Sequence, residues 1–374
     1  MRPLDGIVVL DLTRFLPGAV ATAWLSNFGA EVLRVEQPGI KHPGTHLETS
    51  MPLGQLNHGK KTIAIDLKSG SGRRLFRALS EKVDVLIENF RPGVMARLGL
   101  SYEILSKRSP QLIYVALTGY GQNGPYASFA GHDLNYMSLS GLLDLITPPG
   151  GPPTIPDVQI ADLAGGSATA LIGILLAIEA RRKMGRGQLV DVSMMASVSY
   201  LMTLPIATLQ TTGRSIVRNE ELLSGDYACY SVYLAKDGRW VAVAALETKF
   251  WANLCRELER PEFTEEQFVG KPRQSKLKAA LATIFRQQSA EEWFNVLGHK
   301  DCCLTPVRTL EEALREDQRT RQARLMPHLN ETPGEVDNGG MPATYEHSMR
   351  LLQRVGFTPD ELQRLEEEGV IQSS

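Results

Sequence analysis

The chain has 374 residues, of which 43% are hydrophobic and 22% charged, and its formal net charge is −2 at pH 7. This composition is typical of a globular protein with one or two domains, and it offers no overall basic field for a nucleic acid partner. The longest apolar segment, 168–178, is far shorter than the roughly 20 residues that span a bilayer, and no signal peptide is visible, so we expect a cytoplasmic protein without a membrane partner.

The first elements predict a parallel sheet. A β-branched run at 7–12 indicates a buried strand, the pair Pro17-Gly18 a turn, 19–28 a helix that stops at Gly29, and 32–35 a second strand. So short a crossover implies parallel strands. The predicted fold class is therefore α/β, with an open, doubly wound, Rossmann-like sheet.

Further strands are predicted at 62–66, 83–88 and 112–117, with a helix at 70–80 between the first two. Glycine- and proline-containing loops follow at 89–93 and 118–132. Because open α/β sheets bind ligands at the carboxyl ends of their strands, these loops are the expected site-forming segments.

After a Pro/Gly cluster at 148–156, a long helix is predicted from near Asp162 to 183, then a strand at 188–192 and a connecting helix at 194–209. A hairpin at 230–245 and amphipathic helices to about 315 indicate a second domain. The predicted organisation is a large Rossmann-like domain formed by 1–199 and 323–374, a connecting helix at 200–214, and a small α+β domain at 215–322.

Several kinds of chemistry are disfavoured. The loop 13–18 lacks the G-x-G-x-x-G spacing of dinucleotide-binding enzymes, and the G-x-S-x-G elbow of hydrolases is absent. The four cysteines fit neither a zinc motif nor a thioredoxin-like pair, so no metal site is predicted and a reducing compartment is expected.

Two constellations carry candidate chemistry. His132 lies at the end of the glycine-rich loop, in the run 131–136, and Asp162 lies at the start of the long helix, where N–H groups and the helix dipole favour negative charge. Each has an ordinary alternative, because Asp162 would serve equally as an N-cap and His132 as a hydrogen-bonded loop histidine. From spacing alone both readings stay open.

Nearly the whole chain resembles one family, the type III CoA-transferases and α-methylacyl-CoA racemases. The motifs that carry the resemblance are Leu4-Asp5-Gly6, Phe28-Gly29-Ala30-Glu31-Val32, Asn57-His58-Gly59-Lys60-Lys61, Glu88-Asn89-Phe90-Arg91-Pro92-Gly93, Gly119-Tyr120-Gly121-Gln122, and the ending from Gly356-Phe357-Thr358 to Gly369-Val370-Ile371.

The racemase branch is the one favoured by the resemblance. It implies that His132 and Asp162, 30 residues apart in matching motifs, flank the α-carbon of an acyl-CoA, and that Glu247 supports them. The chain departs from the racemase pattern at Val158, where an Asn is usual, and at Gln37, where an Arg is usual. The expected reaction is 1,1-proton transfer on a 2-methylacyl-CoA through an enolate, stabilised by N–H groups at the helix start beside Asp162.

The resemblance also implies an acyl-CoA substrate and no prosthetic group. The implied coenzyme A contacts are Ile65, Asp66, Leu67, Lys68, Asn89, Phe90, Arg91, Arg97, Gly131, Asp133, Leu134, Asn135 and Tyr136. Arg91, Arg97, Lys60 and Lys61 are able to pair with phosphates, although solvated surface charge is the ordinary fate of such residues. An interlocked homodimer is implied, with Glu247 of one subunit near His132 of the other.

Two alternatives remain open. In the transferase branch the Asp is a nucleophile that forms an acyl anhydride, and no His is required. Those enzymes usually carry a longer glycine-rich loop before the small domain, whereas 222–226 is glycine-poor here. The third reading is a protein that binds CoA without catalysis.

Overall fold

The computed structural model describes residues 1–39, 53–316, 327–336, 348–354 and 356–372. The chain forms two compact units. The first comprises Met1–Leu143, Ile155–Thr203 and Ala323–Ser374, and the second comprises Asp144–Thr154 and Leu204–Gln322. The segment 144–154, predicted within the large domain, therefore belongs to the second unit.

A seven-stranded sheet forms the centre of the first unit, in the order β10-β3-β2-β1-β4-β5-β6. Neighbouring strands are parallel except for β10, which runs antiparallel to β3. The prediction of an α/β fold with a largely parallel sheet is confirmed, with strand ends shifted by a residue or two. The strands are β1 (Val8–Asp11), β2 (Glu31–Glu36), β3 (Lys61–Ile65), β4 (Val85–Glu88), β5 (Ile113–Thr118), β6 (Leu189–Ser193) and β10 (Ile371–Gln372).

Helices connect these strands and cover the sheet. The predicted helix 70–80 is present with the predicted bounds, and its first turn is capped by the Ser69 hydroxyl, which accepts from the Gly72 N–H. The chain-order helices up to the second unit are α1 (Phe15–Asn27), α2 (Gly70–Ser80), α3 (Val94–Arg97), α4 (Tyr102–Arg108), α5 (Asp133–Ser140), α6 (Leu142–Leu145), α7 (Thr169–Met184), α8 (Met194–Val198) and α9 (Thr203–Thr212), with short 3₁₀ turns at Leu53–Asn57 and Ser199–Met202.

Helix α1 begins four residues before its predicted start. The prediction of a turn at Pro17-Gly18 is wrong, since both residues lie inside the first turn of the helix. A proline is compatible with that position because the first N–H groups of a helix have no intrahelical acceptor. The helix instead starts with Phe15, whose φ of +65° lies in the left-handed region.

The long helix changes type along its length. Residues Ala161–Ala168 form a π-helix, and α7 continues from it to Met184, where Gly185 ends the helix in the left-handed conformation. This continuous helix of 24 residues is longer than the apolar segment 168–178. By length and composition alone it would be able to cross a membrane, and half of its apolar window is buried inside the protein. π-Helical turns are rare and occur often at functional sites.

The second unit contains a three-stranded antiparallel sheet in the order β7-β8-β9. The predicted hairpin is present, and β9 adds a third strand to it. Trp251, Phe285 and Trp293 lie in a hydrophobic core together with the inward faces of β7 and β8. The elements are β7 (Tyr230–Leu234), β8 (Trp240–Ala244), α10 (Thr248–Glu257), a 3₁₀ turn (Pro261–Glu266), α11 (Lys271–Phe285), α12 (Ala290–Leu297), β9 (Leu304–Pro306) and α13 (Leu310–Glu316).

The C-terminal tail belongs to the first unit and contains α14 (Ser348–Arg354) and α15 (Pro359–Glu367) before β10. A capping box begins α15, because the Thr358 hydroxyl accepts from the Glu361 N–H while the Glu361 carboxylate accepts from the Thr358 N–H. Antiparallel pairing of β10 with β3 attaches this tail to the edge of the sheet.

Candidate active site

A cavity of about 320 Å³ opens at the carboxyl ends of β1, β4 and β5 in the first unit. The order of the strands reverses between β1 and β4, and this switch point is where open α/β sheets bind ligands. His132 and Asp162 both line the cavity, as do Asn89, Phe90 and Arg91. The structure therefore brings the two predicted catalytic side chains to one pocket.

Asp162 enters the cavity from the second residue of the π-helix. Close packing fixes this segment, because a Cβ at Gly165 would lie 2.7 Å from the Met194 backbone oxygen and one at Gly166 would lie 3.0 Å from Pro17. The Ser167 hydroxyl also donates to the Pro17 carbonyl oxygen at 2.7 Å. The carboxyl is thus held at one place relative to α1 and α8.

The Asp162 carboxyl is electrostatically unusual. Burial raises its pKa to about 7, and the negative charge of Asp133 contributes in the same direction. Among the described residues, none donates a hydrogen bond to this carboxyl, so little opposes the effect of desolvation. The N-cap alternative does not apply, because Ile160 already has helical dihedral angles and Asp162 lies within the helix.

The backbone at the start of the π-helix differs from what was expected. The N–H of Asp162 donates to Asp133 Oδ1 at 2.9 Å, and the N–H of Leu163 donates to the Gln159 carbonyl oxygen at 3.0 Å. These two groups were predicted as possible donors to an enolate. Both are occupied, so the prediction is wrong for these two positions.

His132 immediately precedes α5 and is exposed to the cavity. Its N–H donates to Asn135 Oδ1 at 3.1 Å, and its carbonyl oxygen accepts from the Asn135 N–H at 2.8 Å. The imidazole stands edge-on to the Phe15 ring, with the ring centres 6.1 Å apart. Asn135, predicted to contact coenzyme A, therefore orients the backbone of His132.

Two tyrosines form a wall beside the histidine. The Tyr136 hydroxyl donates to the Gly131 carbonyl oxygen at 2.5 Å, and its ring packs edge-on to Tyr120 at 5.1 Å. Burial raises the pKa of Tyr136, so its hydroxyl stays protonated. A Cβ at Gly119 would lie 2.3 Å from the Tyr136 ring, and one at Gly131 would lie 2.8 Å from it, which is why glycines occupy both positions.

Phe15, a residue that the sequence did not single out, also lines the cavity. The Asn89 side chain fixes the backbone before it, with Oδ1 accepting from the Arg14 N–H at 2.9 Å and Nδ2 donating to the Arg14 carbonyl oxygen at 2.5 Å. Both polar atoms of the Asn89 amide, predicted as a coenzyme A contact, therefore form hydrogen bonds with the Arg14 backbone. Glu88, next to it, accepts from the Phe90 N–H at 2.7 Å, and burial raises its pKa to about 7.

A buried polar cluster lies behind Phe15. Asp11 accepts from the Thr13 N–H and hydroxyl through one oxygen and from the Thr22 hydroxyl through the other, at 2.6–2.8 Å. The Lys60 ammonium lies 3.8 Å from Asp11 and donates to the carbonyl oxygen of Ala19 and to Asn57 Oδ1. We call Asp11, Thr13, Thr22 and Lys60 the Asp11 cluster.

The expectation that Lys60 pairs with a phosphate is wrong, whereas the same expectation for Lys61 stays a prediction. Lys60 is only 2% exposed, and its burial lowers the pKa of the ammonium to about 8. Lys61 pairs with Glu31, with Nζ and Oε1 separated by 2.7 Å. Arg91 and Arg97 are both exposed, and Arg91 lines the cavity.

The other implied coenzyme A residues lie outside the cavity lining. The Ile65 side chain belongs to the core beneath β3, and Leu67 packs against that core. The Asp66 carboxylate accepts from the Lys68 N–H at 2.9 Å, while the Lys68 side chain is exposed. Leu134 is partly exposed on α5. Residues 66–68 follow β3 at the same sheet edge as the cavity, three strand spacings or roughly 14 Å away.

Glu247 is in the second unit, directly before α10. Its carbonyl oxygen accepts from the N–H groups of Phe250 and Trp251, and its side chain is exposed without capping the helix. The departure at Val158 is likewise exposed, at 58%, just ahead of the π-helix.

Comparison with known proteins identifies the family of the chain. A model of CoA-transferase family III matches residues 4–355. The chain is 32% identical to α-methylacyl-CoA racemase from Homo sapiens (99% of this chain, 98% of that protein) and 31% identical to the α subunit of succinyl-CoA–L-malate CoA-transferase from Chloroflexus aurantiacus (99% and 92%). A CaiB/BaiF family crystal structure from Brucella suis has a TM-score of 0.80 at 26% identity (95% and 99%).

Racemases and transferases are matched at nearly equal identity, so identity does not separate the two reactions. The family predicted from the sequence motifs is confirmed, and the racemase and the transferase named above act on CoA thioesters. This chain belongs to CoA-transferase family III.

Proposed function

We propose that the chain is an acyl-CoA racemase that epimerises 2-methylacyl-CoA thioesters by 1,1-proton transfer. One observation carries the proposal: His132 and Asp162 line the same cavity at the switch point of the sheet. A transferase would need the carboxylate alone. The similarity to a racemase over the full chain supports the same choice.

Two acid–base groups are needed because a single base would tend to return the proton to the face it left. One of His132 and Asp162 removes the α-proton, and the electron pair of the C–H bond moves into the thioester to form an enolate. The other group then donates a proton to the opposite face, and the electron pair returns to the new C–H bond. A carboxyl with a pKa of about 7 suits both roles near neutral pH.

The enolate oxygen needs hydrogen-bond donors. The N–H groups of Asp133 and Leu134, which begin α5 directly after His132, form no hydrogen bond among the described residues. They replace the occupied N–H groups of the π-helix as the proposed donors. Removing one such donor typically lowers the rate by about 10²–10³.

Coenzyme A is proposed to extend along the carboxyl edge of the sheet, from the cavity toward residues 66–68. Arg91 at the cavity and Lys68 beyond it are exposed cations at that edge, and both are suited to phosphate. The acyl end would lie between Phe15 and Tyr120, which favours an apolar acyl group.

The test is to incubate one epimer of 2-methyldecanoyl-CoA in deuterated water. We expect α-deuterium to appear together with the opposite epimer. His132→Ala and Asp162→Asn should each lower epimerisation by about 10²–10⁴-fold, since each removes one of the two acid–base groups. If the epimer binds but neither exchange nor epimerisation occurs in the unaltered protein, the racemase proposal is wrong.

The second candidate is a CoA-transferase with Asp162 as its nucleophile. Two observations favour this candidate. Among the described residues none donates a hydrogen bond to the Asp162 carboxylate, and the chain is similar to a succinyl-CoA transferase. In this reaction the Asp162 carboxylate attacks the thioester carbon and CoA leaves as the thiolate, which then attacks the Asp162 carbonyl of the anhydride and releases the first acid. The carboxylate of the second acid attacks the resulting Asp162–CoA thioester, and the thiolate leaves again. The thiolate finally attacks the new acyl carbon, which forms the second acyl-CoA and restores the Asp162 carboxylate. Hydroxylamine would convert the Asp162 acyl anhydride to a hydroxamate, which mass spectrometry detects. The third reading, a protein that binds CoA without catalysis, predicts that the unaltered protein shows no turnover, so that neither His132→Ala nor Asp162→Asn changes it.

We also propose a homodimer in which Glu247 of one subunit supports His132 of the other. Ile172, Leu175 and Leu176 are about half exposed or more on one face of α7, an apolar surface that a second copy would cover. Mixing Asp162→Asn with Glu247→Gln subunits tests the arrangement. A hybrid dimer has one intact site, so activity should return to about a quarter of normal after statistical exchange. No recovery from an exchanged mixture would contradict the shared site.

A further inference from the structure

Asp133 does not behave as a surface carboxylate. It is the first residue of α5, and its Oδ1 accepts a hydrogen bond from the Asp162 N–H at 2.9 Å, across 29 residues of sequence. The resemblance implies only that Asp133 belongs to the coenzyme A surface.

This contact links the segment that contains His132 to the segment that contains Asp162. Asp133 is adjacent to His132, whose backbone is fixed by Asn135, and its carboxylate reaches the backbone of Asp162 directly. The relative placement of the two proton-transfer groups therefore depends on one side chain. We propose that Asp133 is a positioning residue, which holds the backbone of Asp162 and acts on the neighbouring carboxyl through its negative charge.

The charge effect is specific to Asp133. The π-helix packs against α1, α5, α7, α8 and β6. Helices α1 and α8 contain no ionisable side chain, and those of α7 lie in its last two turns. Asp191 of β6 accepts from the Gln122 N–H, and α5 supplies Asp133. His132, Arg91, Tyr120 and Tyr136 share the cavity, and Asp133 is the charge that raises the pKa of Asp162 beyond the effect of burial.

This inference rests on the proposed proton transfer, and it makes a separable statement about Asp162. The Asp133 carboxylate accepts a charge-assisted hydrogen bond from the Asp162 backbone, which fixes where the Asp162 carboxyl lies. Its negative charge adds to the effect of burial and raises the pH at which the Asp162 carboxyl ionises. The two effects are distinguishable, because asparagine keeps an oxygen acceptor without the charge, whereas alanine removes both.

The experiment compares Asp133→Asn, Asp133→Ala and a control, Asp157→Asn, which removes an exposed carboxylate nearby in sequence that does not perturb Asp162. Carbon-13 NMR of the Asp162 carboxyl carbon, identified by its loss in Asp162→Asn, measures ionisation without turnover. Both Asp133 variants should ionise Asp162 at lower pH than the unaltered protein, and the control should not.

Turnover separates the second effect. The pH profile of kcat for α-deuterium exchange should move down in both Asp133 variants, and Asp133→Ala should in addition lose about tenfold in kcat relative to Asp133→Asn. A coenzyme A contact would instead raise KM alone. Unchanged Asp162 ionisation in Asp133→Asn, or a kcat in Asp133→Ala equal to that of Asp133→Asn, would overturn the proposal. If the unaltered protein shows no exchange at all, the racemase proposal fails, while the NMR titration still decides whether Asp133 acts on Asp162.

Discussion

Asp11 and Asp162 are both acidic residues withdrawn from water in the first unit, but their surroundings differ. Asp11 is 1% exposed and receives three hydrogen bonds from Thr13 and Thr22 in addition to the charge of Lys60. Asp162 is partly buried, receives no hydrogen bond from a described residue, and has another carboxylate beside it. Burial alone therefore does not identify a reactive group.

The difference indicates how each carboxyl contributes. A buried carboxylate that accepts several hydrogen bonds and has a counter-charge beside it holds the chain in place. A desolvated carboxyl without donors changes its protonation state readily near neutral pH, at some expense in stability. The same fold therefore uses Asp11 to fix the loop before Phe15 and leaves Asp162 able to exchange a proton.

The strongest test of this comparison makes the same isosteric change at both positions. Asp11→Asn should lower the free energy of unfolding by about 3–5 kcal/mol near pH 7, because it leaves the Lys60 ammonium buried without a counter-charge. Asp162→Asn should change it by less than about 1 kcal/mol, since a neutral amide relieves desolvation. Urea denaturation followed by circular dichroism measures both. Equal losses of stability would remove the distinction.

The pH dependence supplies the control for that test. Burial lowers the folded-state pKa of Lys60 from 10.5 to about 8, so the unfolded chain binds the additional proton between these values and stability rises with pH across the interval. Without Asp11 the pKa falls further. The destabilisation by Asp11→Asn should therefore shrink as the pH rises to about 8, where Lys60 loses its proton in the unaltered protein as well, and should stay constant above that value. Asp11→Asn/Lys60→Met should be more stable than Asp11→Asn near pH 7.

A smaller effect is expected at Phe15, which the Asp11 cluster and Asn89 hold at a φ of +65°. Alanine normally stabilises a helix relative to glycine, but here Phe15→Gly should be more stable than Phe15→Ala by about 1 kcal/mol, because a side chain is strained in this conformation. Thermal denaturation of the two variants measures the difference. The usual order, with alanine more stable, would show that the backbone is not fixed as described.

Local patterns predicted the sheet and most helices because their signals lie within a few residues. Ser69 precedes α2 and Gly185 follows α7, and each marks a helix end by its own chemistry. The start of α1 was missed because Pro17-Gly18 is compatible with a turn as well as with a first helical turn. The left-handed conformation of Phe15 has no signal in its side chain.

The sequence was sufficient to predict which catalytic residues share the site, but not the contacts that those residues make. Motifs identified His132 and Asp162, and the sheet brings both to one cavity. The contact between Asp133 and Asp162 joins residues 29 apart, and the pairing of Lys60 with Asp11 joins more distant ones, so neither follows from local spacing. Lys60 was for that reason expected at the surface.

The tail strand β10 has a consequence for handling the protein. Ile371 and Gln372 pair with the backbone of β3, which would otherwise be an exposed edge strand of the sheet. Exposed edge strands pair readily with other chains, whereas an edge strand of only two residues presents few unpaired backbone groups. Trimming these residues would expose β3 and promote aggregation, so an affinity tag is better attached at the opposite terminus.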